Sequence, residues 1–238
     1  MKRNILLNPG PATTTDSVKE ALMVPDICPR EQEFGELTQA VLKKIVQVVN
    51  GVSSHAAIIF TGSGTAGVEA ALSSVVPQDG KILILDNGAY GKRAETIVQA
   101  YGIQCRTHRM VWGDYPDVDD VEAIFKEDRE LTHFVFVHHE TTTGMLNPLR
   151  ELLQLCQKYE VDSIVDAMSS YAGLPIDMSE LPIDYLISSS NKCIQGMAGT
   201  SFVIANKEKL IKTAGITPRN LYLNLWGNHS YIEKTGQF

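Results

Sequence analysis

The sequence predicts an α/β protein, a three-layer α/β/α sandwich around a mostly parallel sheet. Its short β-rich runs are apolar throughout rather than alternating, which points to strands buried on both faces, the habit of parallel sheets. The runs alternate with helical patterns, which puts helices on both sides of the sheet. Almost every unusual polar residue follows directly after a run, and in such sheets ligands gather at the carboxyl ends of the strands.

In chain order, Asn8-Pro9-Gly10-Pro11 cannot hold regular structure and reads as an arm lying across the surface, so residues 1–15 are assigned to that arm and 16–238 to one large domain. Residues 17–23 and 32–49 carry apolar residues at helical spacing. The first strand, 56–60, leads into Thr61-Gly62-Ser63-Gly64 and a small-residue helix over about 65–75. A strand at 81–85 leads through Asp86-Asn87-Gly88 to a helix over 91–101, and one at 133–137 leads through His138-His139-Glu140-Thr141 to a helix over 149–159. Strands at 163–165, 184–187 and 200–205 complete the series. No internal repeat or Pro/Ser-rich linker divides the chain, and 238 residues suit one large α/β domain.

Composition excludes several function classes. The net charge is −7 with no basic block, which argues against a nucleic-acid surface. No apolar run approaches the roughly 18–20 residues of a membrane helix, so no membrane partner is expected. The N-terminus has only Ile5-Leu6-Leu7 before Pro9, too short for a signal-peptide core, and the expected compartment is the cytoplasm. Cys28, Cys105, Cys156 and Cys193 are scattered without a CxxC, which reads as reduced thiols and gives no zinc site.

Gly62-Ser63-Gly64-Thr65-Ala66-Gly67 satisfies GxGxxG between a strand and a helix, with Asp86 ending the next strand where a dinucleotide fold keeps its ribose-binding acid. The broader reading is an anion site: N–H groups of Gly64, Thr65 and Ala66, with a Ser63 or Thr65 hydroxyl, binding a phosphate at a helix N-terminus. The dinucleotide reading leaves Asp166 and Lys192 unexplained. Asp166 ends a buried strand, and Lys192 sits in a polar, glycine-closed loop, 188–196, between two apolar strands. Taken singly, one is an ordinary helix cap and the other a solvated lysine. Taken together with a phosphate-type turn they fit pyridoxal 5′-phosphate, which needs an amine for its aldehyde, an acid for its pyridine nitrogen and an anion site. Tyr90, after the 81–85 strand, is the residue to pack on the ring face; the alternative is an ordinary half-buried tyrosine.

The chain resembles the class V, fold-type I aminotransferases. The stretches that carry the resemblance are LLNPGPATTT from Leu6, ICPREQEF from Ile27, FTGSGTAGVEA from Phe60, HHETTTGMLNP from His138, IVDAMSSYAGLPID from Ile164, SSSNKCIQGMAG from Ser188 and the tail SYIEKTGQF from Ser230. Within that family, PREQEF and the tail favour the branch that passes the amino group of 2-aminoethylphosphonate to pyruvate, giving phosphonoacetaldehyde and L-alanine. The resemblance implies that Lys192 is the Schiff-base lysine and Asp166 the pyridinium partner. It implies phosphate binding by Ser63, Gly64, Thr65 and Ala66, Tyr90 on the ring, and Thr143 near the ring hydroxyl. Ser189 or Asn191 would add contacts to the phosphate or the lysine loop.

Arg30 is a candidate for holding a substrate anion, against a surface arginine pairing with Glu31 or Glu33. The partners implied are a small-molecule amine and a 2-oxo acid, with a homodimer as the assembly. Relatives continue into a smaller C-terminal domain, expected to be absent after Phe238 together with its principal anion-binding arginine. The rivals are another class V reaction such as alanine–glyoxylate or phosphoserine transamination, cysteine desulfuration through Cys193, a nicotinamide dehydrogenase, and a truncated cofactor-binding chain without turnover.

Overall fold

A computed structural model describes residues 4–236; residues 1–3 of the expected arm, and Gln237 and Phe238 at the end of the tail stretch, lie outside the described residues. After an extended arm come helices α1 (Asp16–Glu20) and α2 (Gln32–Val48). Strand β1 (His55–Thr61) leads to α3 (Gly64–Val75), β2 (Lys81–Asp86) to α4 (Ala89–Ala100), and β3 (Gln104–Arg109) to α5 (Val118–Glu127). Strand β4 (Leu131–Val137) runs into a two-stranded ribbon of β5 (His139–Glu140) and β6 (Met145–Leu146), followed by α6 (Leu149–Tyr159). Then come β7 (Asp162–Asp166), β8 (Tyr185–Ser189), β9 (Thr200–Asn206), α7 (Lys207–Lys212) and α8 (Leu225–Thr235).

The main sheet has the order β1-β9-β8-β7-β4-β2-β3. Strands β3, β2, β4, β7 and β8 pair in parallel. β9 is antiparallel to both β8 and β1, so it alone runs against the other strands of the sheet. The expected mostly parallel sheet is therefore present, with one reversal. The connection from β8 to β9 reverses direction without a crossover helix, and that connection is the loop bearing Lys192.

Burial on both faces follows the strand period. In β2, Leu83 and Leu85 join a core with Phe134, Phe136, Leu42 of α2, Phe125 of α5 and Leu152 of α6. Ile82 and Ile84 point the other way, into a core with Val135, Leu72 of α3 and Val98 of α4. Helices cover both faces, so the three-layer expectation holds. Gly67 allows α3 to lie close on the sheet: a Cβ there would come 3.0 Å from Ile187 Cγ2 and 3.2 Å from Ser201 Cβ.

The expected helix over 17–23 is only Asp16–Glu20, because it buries no side chain and has nothing to hold further turns. The N-termini of α3 and α4 and the ends of β7 and β8 all reach the same edge of the sheet, where β5 and β6 also sit. No helix among the described residues is long and apolar enough to cross a membrane.

Candidate active site

At that edge Lys192, Asp166, Ser63, Gly64, Thr65 and Tyr90 line one cavity of about 160 Å³. The residues come from four separate segments, so chain topology and not sequence proximity brings them together. Ser189 and Asn191 line the same cavity, and Val68 and Met168 supply apolar wall.

Asp166 ends β7 and is 5% exposed. Its Oδ1 accepts a hydrogen bond from Met168 N at 2.9 Å. Burial pushes the carboxyl up to about 6, and the nearby Glu140 charge adds to the rise, while the Met168 N–H and the Arg93 and Lys192 cations oppose it. Such a carboxylate is poised to accept a cation, because an opposite charge against it would relieve the desolvation that raises it. His138 is the neighbouring titratable group. Burial pushes it down to about 4, so it stays neutral at physiological pH, with its Nδ1 2.9 Å from Ser170 Oγ.

Lys192 is held by the reversal between β8 and β9. Ser190 N donates to Thr200 O at 3.0 Å, Gln195 N to Lys192 O at 2.9 Å and Gly196 N to Ser190 O at 2.8 Å, which closes the loop on itself. Ser189 Oγ donates to Asn191 Oδ1 at 2.8 Å. The N-terminal arm crosses this loop, with Ala12 N donating to Asn191 O at 2.9 Å. Gly10 then lies directly on the lysine: a Cβ there would fall 2.4 Å from Lys192 Cδ and 2.7 Å from Nζ, and its φ of +142° is one that L side chains rarely adopt. Gly10→Ala is expected to lower the unfolding free energy by about 1–3 kcal/mol and to displace the end of Lys192. Urea denaturation reads the first effect, and the rate of Lys192 acylation, followed by mass spectrometry, reads the second. Parental values in both would show that the arm does not press on the lysine.

Helix α3 starts at Gly64 behind an extended Ser63 whose side chain makes no cap hydrogen bond. Its first turn therefore offers uncapped donors to the cavity. Tyr90 stands in the first turn of α4, and its N donates to Glu140 Oε2 at 3.2 Å. Glu140 is fully buried and also accepts from Thr142 N at 3.1 Å and from the Thr142 hydroxyl. It ties the start of α4 to the turn between β5 and β6. Gly88 makes room for it, since a Cβ there would fall 2.2 Å from Glu140 Cγ. Two groups at the site went unassigned in the sequence, Glu140 and Arg93. The second lines the cavity and holds its guanidinium carbon 4.9 Å from the centre of the Tyr90 ring.

Other expected residues fall outside the cavity lining. Ala66 N donates to Ser63 O at 2.8 Å, so that N–H is already engaged within the turn. Thr143 sits in the β5–β6 turn, where its N donates to Glu140 O at 3.3 Å. Arg30 is exposed in the segment before α2 and away from the cavity walls. Cys193 follows Lys192 but turns out of the cavity, with Sγ 3.5 Å from Ser169 O. Asp86 is 1% exposed and engaged by Arg109, whose Nε donates to Oδ2 at 3.3 Å. An acid sealed in that way is unavailable to a ribose, which removes a main support of the dinucleotide reading.

The chain matches the family described as Aminotransferase class-V over residues 23–221. It is 41% identical over 234 residues to a 2-aminoethylphosphonate–pyruvate transaminase of Pseudomonas fluorescens, covering 98% of this chain and 63% of the relative. A transaminase of the same name from Klebsiella pneumoniae is 42% identical over 230 residues, covering 96% of this chain and 62% of the relative.

The chain belongs to the class-V aminotransferases.

It spans a little over three fifths of the length of those two curated relatives. Among solved structures it is similar to an alanine–glyoxylate aminotransferase from Nostoc sp., with a TM-score of 0.88 at 24% identity over 99% of this chain and 62% of that one. A pyridoxamine–pyruvate aminotransferase from Mesorhizobium loti gives a TM-score of 0.85 at 23% identity over 96% of this chain and 60% of that one. At that identity the likeness establishes the fold, which agrees with the three layers described above. The cofactor of this class-V family is pyridoxal 5′-phosphate.

Proposed function

We propose that the protein takes part in amino transfer from 2-aminoethylphosphonate to pyruvate, with pyridoxal 5′-phosphate held between Lys192, Asp166 and the start of α3. The observation that carries the reading is the convergence of an amine, a buried carboxylate and an uncapped helix N-terminus on one cavity. That donor set fits the cofactor group by group: amine to aldehyde, carboxylate to ring nitrogen, N–H and hydroxyl donors to phosphate. The choice of donor and acceptor leans on the named relatives.

The chemistry that pyridoxal 5′-phosphate supplies when bound is an electron sink for the bond broken at the amine-bearing carbon. Asp166 would hold a proton on the ring nitrogen, and the cation placed there would favour its ionised carboxylate. Lys192 Nζ would be the amine for the aldehyde and, when free, the base that would take the proton from the amine-bearing carbon and hand it to the cofactor carbon. Ser63, Gly64 and Thr65 would hold the phosphate, Tyr90 would take the ring face, and Thr143, from the β5–β6 turn outside the cavity lining, would be the residue for the ring hydroxyl. Met168 and Val68 keep water from one wall of the cavity.

Mixing the protein with pyridoxal 5′-phosphate is expected to give a visible absorbance band that borohydride abolishes. A screen of amine donors should then find 2-aminoethylphosphonate among those that convert the loaded protein to its pyridoxamine form. Tight NADH binding with no such band would favour the dehydrogenase instead, and conversion by alanine or phosphoserine but not by the aminophosphonate would move the chain to another class-V reaction. A cytoplasmic homodimer belongs to the same proposal, and sedimentation equilibrium at micromolar concentration tests the dimer.

A further inference from the structure

Helix α4 begins without a cap of its own. Its N-cap position is Gly88, which has no side chain to close the helix, yet the first turn carries Tyr90 into the cavity lining. The missing cap comes from the β5–β6 ribbon. Tyr90 N donates to Glu140 Oε2 at 3.2 Å, 50 residues later, and Ala89 N donates to Thr142 Oγ1 at 3.1 Å, 53 residues later. With its oxygen taken by Ala89, the Thr142 hydroxyl turns its hydrogen to Glu140 Oε1, which also accepts from Thr142 N at 3.1 Å. All three of these partners of Glu140 are donors, and a carboxylate is an acceptor whose charge suits a helix N-terminus.

The ribbon that carries Glu140 is itself fixed. Asn147, directly after β6, donates from Nδ2 to Val137 O at 2.7 Å and accepts at Oδ1 from Asn87 Nδ2 at 2.8 Å, and both side chains are buried. Asn87 precedes Gly88 in the chain, so this amide pair holds the base of the ribbon and the start of α4 in one frame.

We propose that Glu140 is a positioning residue, which holds Tyr90 at the face of the cofactor ring by capping α4 from a distant part of the chain. The identity of the ring rests on the proposed function. Volume alone does not account for the residue. A glutamine of the same shape would, in either amide orientation, turn its NH2 toward a backbone N–H, that of Tyr90 or that of Thr142, and loosen the cap.

Glu140→Gln is therefore the first variant. Thr142→Val, at an exposed position, is a second that keeps the shape and removes only the hydroxyl. In the cofactor-free protein, amides 89–91 should exchange about 10-fold faster in Glu140→Gln, as for one lost hydrogen bond, and less so in Thr142→Val. Amides 82–85 of β2 should keep parental rates. Equilibrium dialysis should show pyridoxal 5′-phosphate bound about 3- to 10-fold more weakly by Glu140→Gln, the range expected from aromatic stacking. Tyr90→Ala should lose at least as much, and the double variant no more than Tyr90→Ala alone. Single losses that multiply in the double variant would overturn the proposal. So would parental exchange at 89–91 in both variants, and so would faster exchange with parental binding, which would leave Glu140 a structural cap only. A parent that binds pyridoxal 5′-phosphate without a borohydride-sensitive band would sink the proposed function alone, since dialysis needs no covalent bond.

Discussion

Lys192→Ala is expected to abolish the borohydride-sensitive band and to slow amino transfer by about 10⁴-fold or more, the upper range for removing a general acid–base group. The loss should be specific. The side chain lines the cavity, and the loop that carries it is closed by backbone hydrogen bonds from Ser190, Gln195 and Gly196. The variant should therefore fold, and it should still bind pyridoxal 5′-phosphate through Asp166 and the start of α3, now without a covalent bond. Absorbance spectra before and after reduction, together with equilibrium dialysis of the cofactor, separate attachment from affinity. Retained transfer in the variant would refute the role given to Lys192.

The second large effect concerns Asp166, which weakens the empty fold but strengthens cofactor binding. Burial lifts the carboxyl from 3.8 to about 6. A raised carboxyl favours the folded state fully below about 3.8, and that contribution is lost as pH rises through about 6. The difference amounts to about 3 kcal/mol for a fully desolvated group. Asp166→Asn keeps the acceptor for Met168 N and removes the charge. Without cofactor it should be more stable than the parent at pH 8, by up to about 3 kcal/mol, and equal to it near pH 3.

With pyridoxal 5′-phosphate the gap narrows, because the parent gains a charge-assisted contact that Asn cannot supply. Its affinity should exceed that of the variant by about 10- to 100-fold at pH 8 and converge with it as pH falls below about 6. Urea unfolding with and without cofactor across pH 3–8 measures both arms. A less stable empty variant at pH 8 would show that the carboxylate is not held under desolvation strain.

Much of the layering was legible because apolar runs such as Ile82-Leu83-Ile84-Leu85 feed both cores at once. Strand β3 was not, since Gln104–Arg109 is mostly polar: it pairs only with β2 at the sheet edge, Arg106 and Arg109 form ion pairs, and Cys105 alone packs against a core. Helix α5 has readable signals, an Asp117 cap and Val121, Ile124 and Phe125 at helical spacing. At the site, Lys192, Asp166 and the Ser63–Thr65 turn were legible because each is a polar residue stranded beside an apolar run. Glu140 and Arg93 were not. Their partners lie 50 and 28 residues away, and only the folded chain reveals that one anchors Tyr90 while the other leans on Thr65.

The single reversed strand has a further consequence for how the site comes into being. Residues 185–206 form a local antiparallel pair, so the bend that presents the amine can close early, from contacts near in sequence. The start of α3 lies more than a hundred residues upstream and meets that pair only when distant parts of the chain dock. The amine and the anion cradle therefore belong to separately assembled units, and a ligand that touches both acts as a latch. Hydrogen exchange should show it: adding cofactor is expected to slow the amides of 63–68 more than those of 200–205, which pairing with neighbouring strands already protects.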